Sequence, residues 1–214
     1  MAWHQKNRTY MKLKVRIFLF FFAVVTDCAF AQNTVKITED YGSDNSEIQQ
    51  LMDFDNIYIE KLHFESENLK GKFCKIDLEE YKDGKLAGTT TLFDGSELDY
   101  FKIGTNRDSL TILSKLSDGQ LKICIKGKKF STKKFYFKLI SEADTYVLKS
   151  FFGAKKELNV DMQRQNAILA ITPPAVHADG SGSYCEVVQS GVAPEKIGKK
   201  FRLSQYFLIK VSFK

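Results

Sequence analysis

At 214 residues, 43% of them hydrophobic, the chain is long enough to bury one substantial core. Its formal net charge of +6 sits mostly before residue 32. Residues 1–31 hold five basic groups and one acidic group, so residues 32–214 carry 27 Lys plus Arg against 25 Asp plus Glu, a net of +2. A nucleic-acid binder gathers a marked basic surplus on one face, and this balance sets that partner class aside.

Lys12, Lys14 and Arg16 form a basic flank, and residues 17–25 (IFLFFFAVV) are an unbroken apolar run. Ala29-Phe30-Ala31 then places small residues at the two positions a signal peptidase reads. This is the secretory pattern, so residues 1–31 are expected to be a cleavable signal peptide. If Met11 is the start, residues 1–10 are an upstream extension. A spanning helix needs about 20 apolar residues; the processed chain is therefore expected not to span a membrane. Cys28 has the apolar upstream residues of a lipid-anchor site, but Asp27 stands where such sites carry a small residue.

Residues 32–56 read as a polar leader, with a β-like patch at 34–38 that fits a first edge strand. Ser46 followed by Gln49 resembles a capping box and predicts a short helix over 47–53. From Ile57 to residue 214 the period is two, as a half-buried antiparallel sheet requires. Cys74, Ile76 and Leu78 alternate with Lys75, Asp77 and Glu79; Leu121, Ile123 and Ile125 alternate with Lys122 and Lys126. Phe135, Phe137 and Leu139, and later Leu203, Phe207, Ile209, Val211 and Phe213, repeat the pattern. Asp83-Gly84 and Asp118-Gly119 permit the positive φ angles of tight hairpins, and Gly153-Ala154 is read as a third hairpin turn. Residues 126–129 (KGKK) are read as a solvated turn. One strand breaks phase: Ile57 and Ile59 are in step, Leu62 and Phe64 have slipped by one, and a β-bulge near Glu60-Lys61 would account for it. With no sustained helical period between strands, the expectation is an all-β antiparallel sandwich of about nine to eleven strands, the alternative being a closed lipocalin-like barrel.

Chemistry is sparse. His63 alternates with Leu62 and Phe64 and reads as a solvent-facing strand residue. His177, Asp179 and Ser181 share the Pro- and Gly-rich loop 172–183, and they are the candidate catalytic set, since loops on a rigid sheet concentrate function. No G-x-S-x-G elbow accompanies them. Cys-x-x-Cys and His-x-x-x-His pairs are missing, so neither a metal nor another cofactor is implied. A calcium site at Asp40, Asp44 and Glu47, or at Asp179, lacks the carboxylate spacing of a calcium loop. Three cysteines remain beyond residue 31, too few for a disulfide scaffold. Cys74 and Cys185 share faces with apolar neighbours; they are the pair that export would oxidise if it oxidises any, and buried free thiols are the alternative. Trp3, the single tryptophan, precedes the cleavage point, so a glycan platform would fall to Tyr58, Tyr136, Tyr184 or Tyr206. A membrane barrel is disfavoured by strands of five to eight residues with one charged row.

The signal ending before Gln32, the stretch Leu78-Glu79-Glu80-Tyr81-Lys82-Asp83-Gly84-Lys85 and residues 180–191 (GSGSYCEVVQSG) resemble uncharacterised secreted all-β proteins of gut Bacteroides type. That resemblance implies a periplasmic or outer-surface location and supplies no activity. The expectation is an exported, non-enzymatic β-sandwich that binds a protein or glycan partner or serves the envelope structurally. A hydrolase using the 173–183 loop and a small-ligand-binding barrel are the alternatives.

Overall fold

The computed structural model describes residues 33–128 and 130–214, of which Val35–Lys214 form one compact unit. Residues 1–31, read above as a signal peptide and including Cys28, lie outside the described residues, as does Lys129. Alternation produces two antiparallel sheets. The first holds β1 (Thr34–Tyr41), β2 (Ile57–Glu65), β5 (Arg107–Ser117), β6 (Gln120–Lys126), β7 (Phe135–Lys138) and β9 (Leu158–Asp161), in the order β7-β6-β5-β2-β1-β9. The second holds β3 (Cys74–Lys82), β4 (Lys85–Asp94), β8 (Val147–Ser150), β10 (Asn166–Thr172) and β13 (Gln205–Phe213), in the order β4-β3-β13-β10-β8. The inward rows of both meet in one apolar core that includes Val35, Ile37, Leu62, Phe64, Ile76, Ile112 and Ile209. This is the expected sandwich. The first sheet curves into a half-barrel but its two edges stay apart, so the closed-barrel alternative is not formed.

Both Asp-Gly turns are hairpins. Asp83 and Gly84 take φ of 49° and 69°, Asp118 and Gly119 take 53° and 67°, the left-handed pair that matches strand twist. Gly153 also has positive φ, yet the segment after β8 crosses from the second sheet to β9 in the first, so it is a crossover rather than the hairpin predicted. β1 is no loose leader or edge: it pairs with β2 on one side and neighbours β9 on the other. The helix predicted over 47–53 is α1 (Ser46–Phe54). Its N-cap is Asn45, whose carbonyl oxygen Oδ1 accepts from the backbone N–H of Glu47 and Ile48; Gln49 turns back to accept from Ser43 N instead.

The outer face of the second sheet departs most from expectation. The period of two read from Ile57 to residue 214 would make residues 184–189 a strand, and the segment is helix α2 (Tyr184–Gln189), capped by the Ser183 hydroxyl, which accepts from Glu186 N. With α3 (Ile197–Phe201) it roofs β13, β10 and β3 through Val187, Val188, Ile197, Leu203, Tyr206 and Leu208. β13 is thus buried on both faces, not one. Beneath the roof Tyr81 and Tyr206 stack at 4.7 Å. Lys210, 6% exposed, reaches Glu79 at 2.9 Å and Glu195 at 2.7 Å. Burial alone would lower the Lys210 pKa, but the hydrogen bonds it donates to the two carboxylates outweigh that and raise it.

Candidate functional site

Strands β2 and β5 turn their even-numbered row inward and β1 its odd-numbered row, and at one end of the sheet those rows stop being apolar. On β2 the row reads Phe64, Leu62, Glu60, Tyr58; the pairing with β1 and β5 runs without a register shift, so no bulge exists at Glu60-Lys61. The apparent slip has another cause. Ile57 and Ile59 belong to the outward row, and a glutamate occupies the core position between Leu62 and Tyr58. On β1 the row Val35, Ile37 continues to Glu39, and on β5 Ser114 stands opposite Tyr58. Glu39 faces Leu62 and Glu60 faces Tyr41, which makes the two glutamates diagonal cross-strand neighbours.

Glu39, Tyr41, Tyr58 and Glu60 line a cleft of about 420 Å³, walled by β1 and β2 on one side, by β8 on the other and by Met52, Asp53 and Asn56 at the end of α1. Ser150 on β8 crosses the gap to donate its hydroxyl to Glu39 Oε1 at 2.7 Å. The remaining carboxylate oxygens, Glu39 Oε2 and Glu60 Oε2, have no hydrogen-bond partner among the described residues, and neither has Ser114 Oγ. Glu60 is 5% exposed. Such a carboxyl resists ionisation because its charged form loses hydration without gaining a donor. Burial, reinforced by the charge of Glu39 and opposed by Lys149, pushes Glu60 up to about 8. Burial raises Glu39 as well, against the Ser150 hydrogen bond. The rim is electronegative: Tyr58 is pushed up to about 12 by burial and then by Tyr41, Tyr184, Asp53 and Asp144, and burial with Asp53 and Glu60 nearby raises Tyr41. No group of three or more His, Cys, Asp or Glu side chains able to hold a metal occurs among the described residues. The cleft's chemistry is that of three carboxyls, Glu39, Asp53 and Glu60, with two phenols and the Lys149 ammonium.

The residues singled out in the sequence lie elsewhere. His177, Asp179 and Ser181 are exposed on the turn joining β11 (Ala175–Val176) to β12 (Gly182–Ser183). The Ser181 hydroxyl donates to Asp179 Oδ1 at 2.7 Å, which also accepts from Ser181 N, while His177 Nε2 lies 3.3 Å from Glu186. The side chains close a turn, and His177 is paired with Glu186 and not with the Ser181 hydroxyl. Cys74 is buried at the start of β3, Cys185 is exposed on α2, and both are free thiols, so the pair considered for oxidation is not joined. His63 faces solvent and pairs with Asp40 at 3.0 Å. Of the four tyrosines, Tyr136 is exposed, Tyr206 is fully buried, Tyr184 is half-buried with its hydroxyl donating to Thr145 O, and Tyr58 lines the cleft.

Sequence reasoning missed Glu39 and Glu60. The signal was present as the phase break in β2, which is also what a charged residue in a core row produces. Away from this cleft, Phe93, Phe101 and Phe130 form an aromatic cluster with ring-to-ring contacts of 4.6–5.3 Å. Compared with family models, curated proteins and solved structures, the chain matches none of them.

Proposed function

We propose that this chain is an exported, non-enzymatic binding module that holds a small polar ligand in the cleft between β1–β2 and β8. One observation carries the reading: the Glu60 carboxyl is buried at a core position with an oxygen that meets no donor, and it opens into a cleft large enough for a small molecule. Leucine at that position would continue the apolar row at no electrostatic cost, whereas an unpaired buried carboxyl costs on the order of several kcal/mol. A ligand that supplies the missing donor recovers that cost on binding. The 173–183 turn offers no comparable acceptor set, which is why the ligand is placed here and not there.

Two measurements test the reading. Backbone NMR shifts recorded during titration with small amines, polyols and acids are expected to cluster on residues 39–41, 58–60 and 147–150; shifts scattered over the surface, or none for any class, would refute it. Export is tested by fractionation and intact mass of the secreted product. Cleavage between Ala31 and Gln32 is expected, and a full-length product retained inside the cell would overturn it.

A further inference from the structure

We propose that the ligand of this cleft is an organic cation: a primary ammonium on an apolar body, seated between Glu60 and Glu39. The proposal rests on the reading of the cleft as the binding site and names the class of ligand it takes.

Donor and acceptor supply decides the class. The cleft holds two carboxylate oxygens without a donor, and the hydroxyl of Ser150 is already spent on Glu39. The Asn56 amide donates away from the cleft, to Asp144 at 2.8 Å. Lys149 on β8 is the one basic residue lining the cleft. A sugar hydroxyl would offer the two carboxyl oxygens a neutral hydrogen bond, about half as strong as a charge-assisted one. An ammonium donates through three N–H groups and accepts through none, which is the complement of this wall. An anionic ligand is opposed by Glu39, which bears on Glu60, and by Asp53 and Asp144, which bear on the neighbouring phenols.

Geometry agrees with the electrostatics. Tyr41 and Tyr58 stand in the same inward rows as the two glutamates and flank them along β1 and β2; phenol rings attract cations through their faces. Met52 and Leu148 contribute apolar wall for the rest of the ligand. The proton balance is explicit. The groups facing Glu60 are Glu39 and Tyr41 on β1, Tyr58 on β2, Asp53 on α1 and Lys149 on β8. In the free protein at neutral pH Glu60 holds its proton; on binding, the carboxyl O–H breaks, the proton leaves to solvent, and the carboxylate pairs with the incoming ammonium. Binding therefore releases close to one proton.

The test uses butylamine, cadaverine and phenethylamine, each against the alcohol of the same skeleton, with methyl glucoside as a neutral polyol. Calorimetry at neutral pH in buffers of different ionisation heat gives affinity and protons released; NMR shifts on Glu39, Tyr58 and Glu60 give the place. At least one amine is expected to bind about tenfold more tightly than its alcohol, the worth of one charge-assisted hydrogen bond, with proton release. In Glu60→Gln both the proton release and the amine preference are expected to vanish, while a folded spectrum and any residual alcohol binding persist. Preference for the glucoside or the alcohols, with shifts in the cleft, overturns the cation proposal and leaves the site. No cleft shift with any probe removes the site and the proposal together. Amine binding with unchanged proton release in Glu60→Gln overturns the role given to Glu60.

Discussion

Glu60 joins the conformational stability of the protein to pH in an unusual direction. Its folded pKa of about 8 lies above the ordinary 4.5. Below 4.5 both folded and unfolded chains hold the proton; between 4.5 and 8 only the folded chain does, so this residue's contribution falls as pH rises through that window. The loss is on the order of 3 kcal/mol by pH 7. Glu60→Gln is expected to match the native chain in urea unfolding near pH 4.5 and to exceed it by roughly that amount at pH 7; parallel pH profiles for the two proteins would contradict the burial described. Lys210 is the opposite case, a buried charge that is paired. Lys210→Met leaves Glu79 facing Glu195 with no cation between them, and the expected cost in urea unfolding is about 3–5 kcal/mol. The sequence showed Lys210 as a polar residue on the outward row of β13, which it is; that the row is roofed could not be read from β13 itself.

At the scale of elements, legibility followed locality. Asp83-Gly84 and Asp118-Gly119 were readable because the turn chemistry is contained in two residues. The roof over β13 was not, because α2 and α3 are six and five residues long and present too few turns for a helical period to show. Tyr184 to Gln189 instead displays a Val pair that also suits a strand, and the deciding contact, the Ser183 cap, is one hydrogen bond. Glu39 and Glu60 share this limit, since a phase break in one strand looks the same whether a bulge or a buried charge produces it. Two substitutions test the elements directly. Asn45→Ala removes the acceptor for two N–H groups at the start of α1 and is expected to cost about 1 kcal/mol, with faster amide exchange confined to residues 46–50. Gly198→Ala places a methyl 2.4 Å from the Tyr206 ring and 3.0 Å from Gly84. Gly84 is backbone of the β3–β4 turn and the Tyr206 ring is buried and stacked on Tyr81, so a loss of about 1–3 kcal/mol is expected, seen as a lowered Tm.

For the whole molecule, alternation was enough to give two sheets, and strand order was not written in it. β13, the last strand of the chain, lies at the centre of its sheet, joined to β3 through nine paired positions and to β10 on the other side. Residues 74–82 and 166–172 therefore have no common partner until residues 205–213 arrive. During synthesis from the N-terminus, hairpins such as β5–β6 can close early, while one whole wall of the core waits for the end. A ribosome-arrested chain with 205–213 still inside the exit tunnel is expected to be cut by protease throughout β3 and β10, and to become resistant once those nine residues emerge. For a chain proposed to cross a membrane, this order of assembly is a built-in delay: the polypeptide stays threadable until residues 205–213 follow, and that strand acts as the latch that closes the fold on the far side.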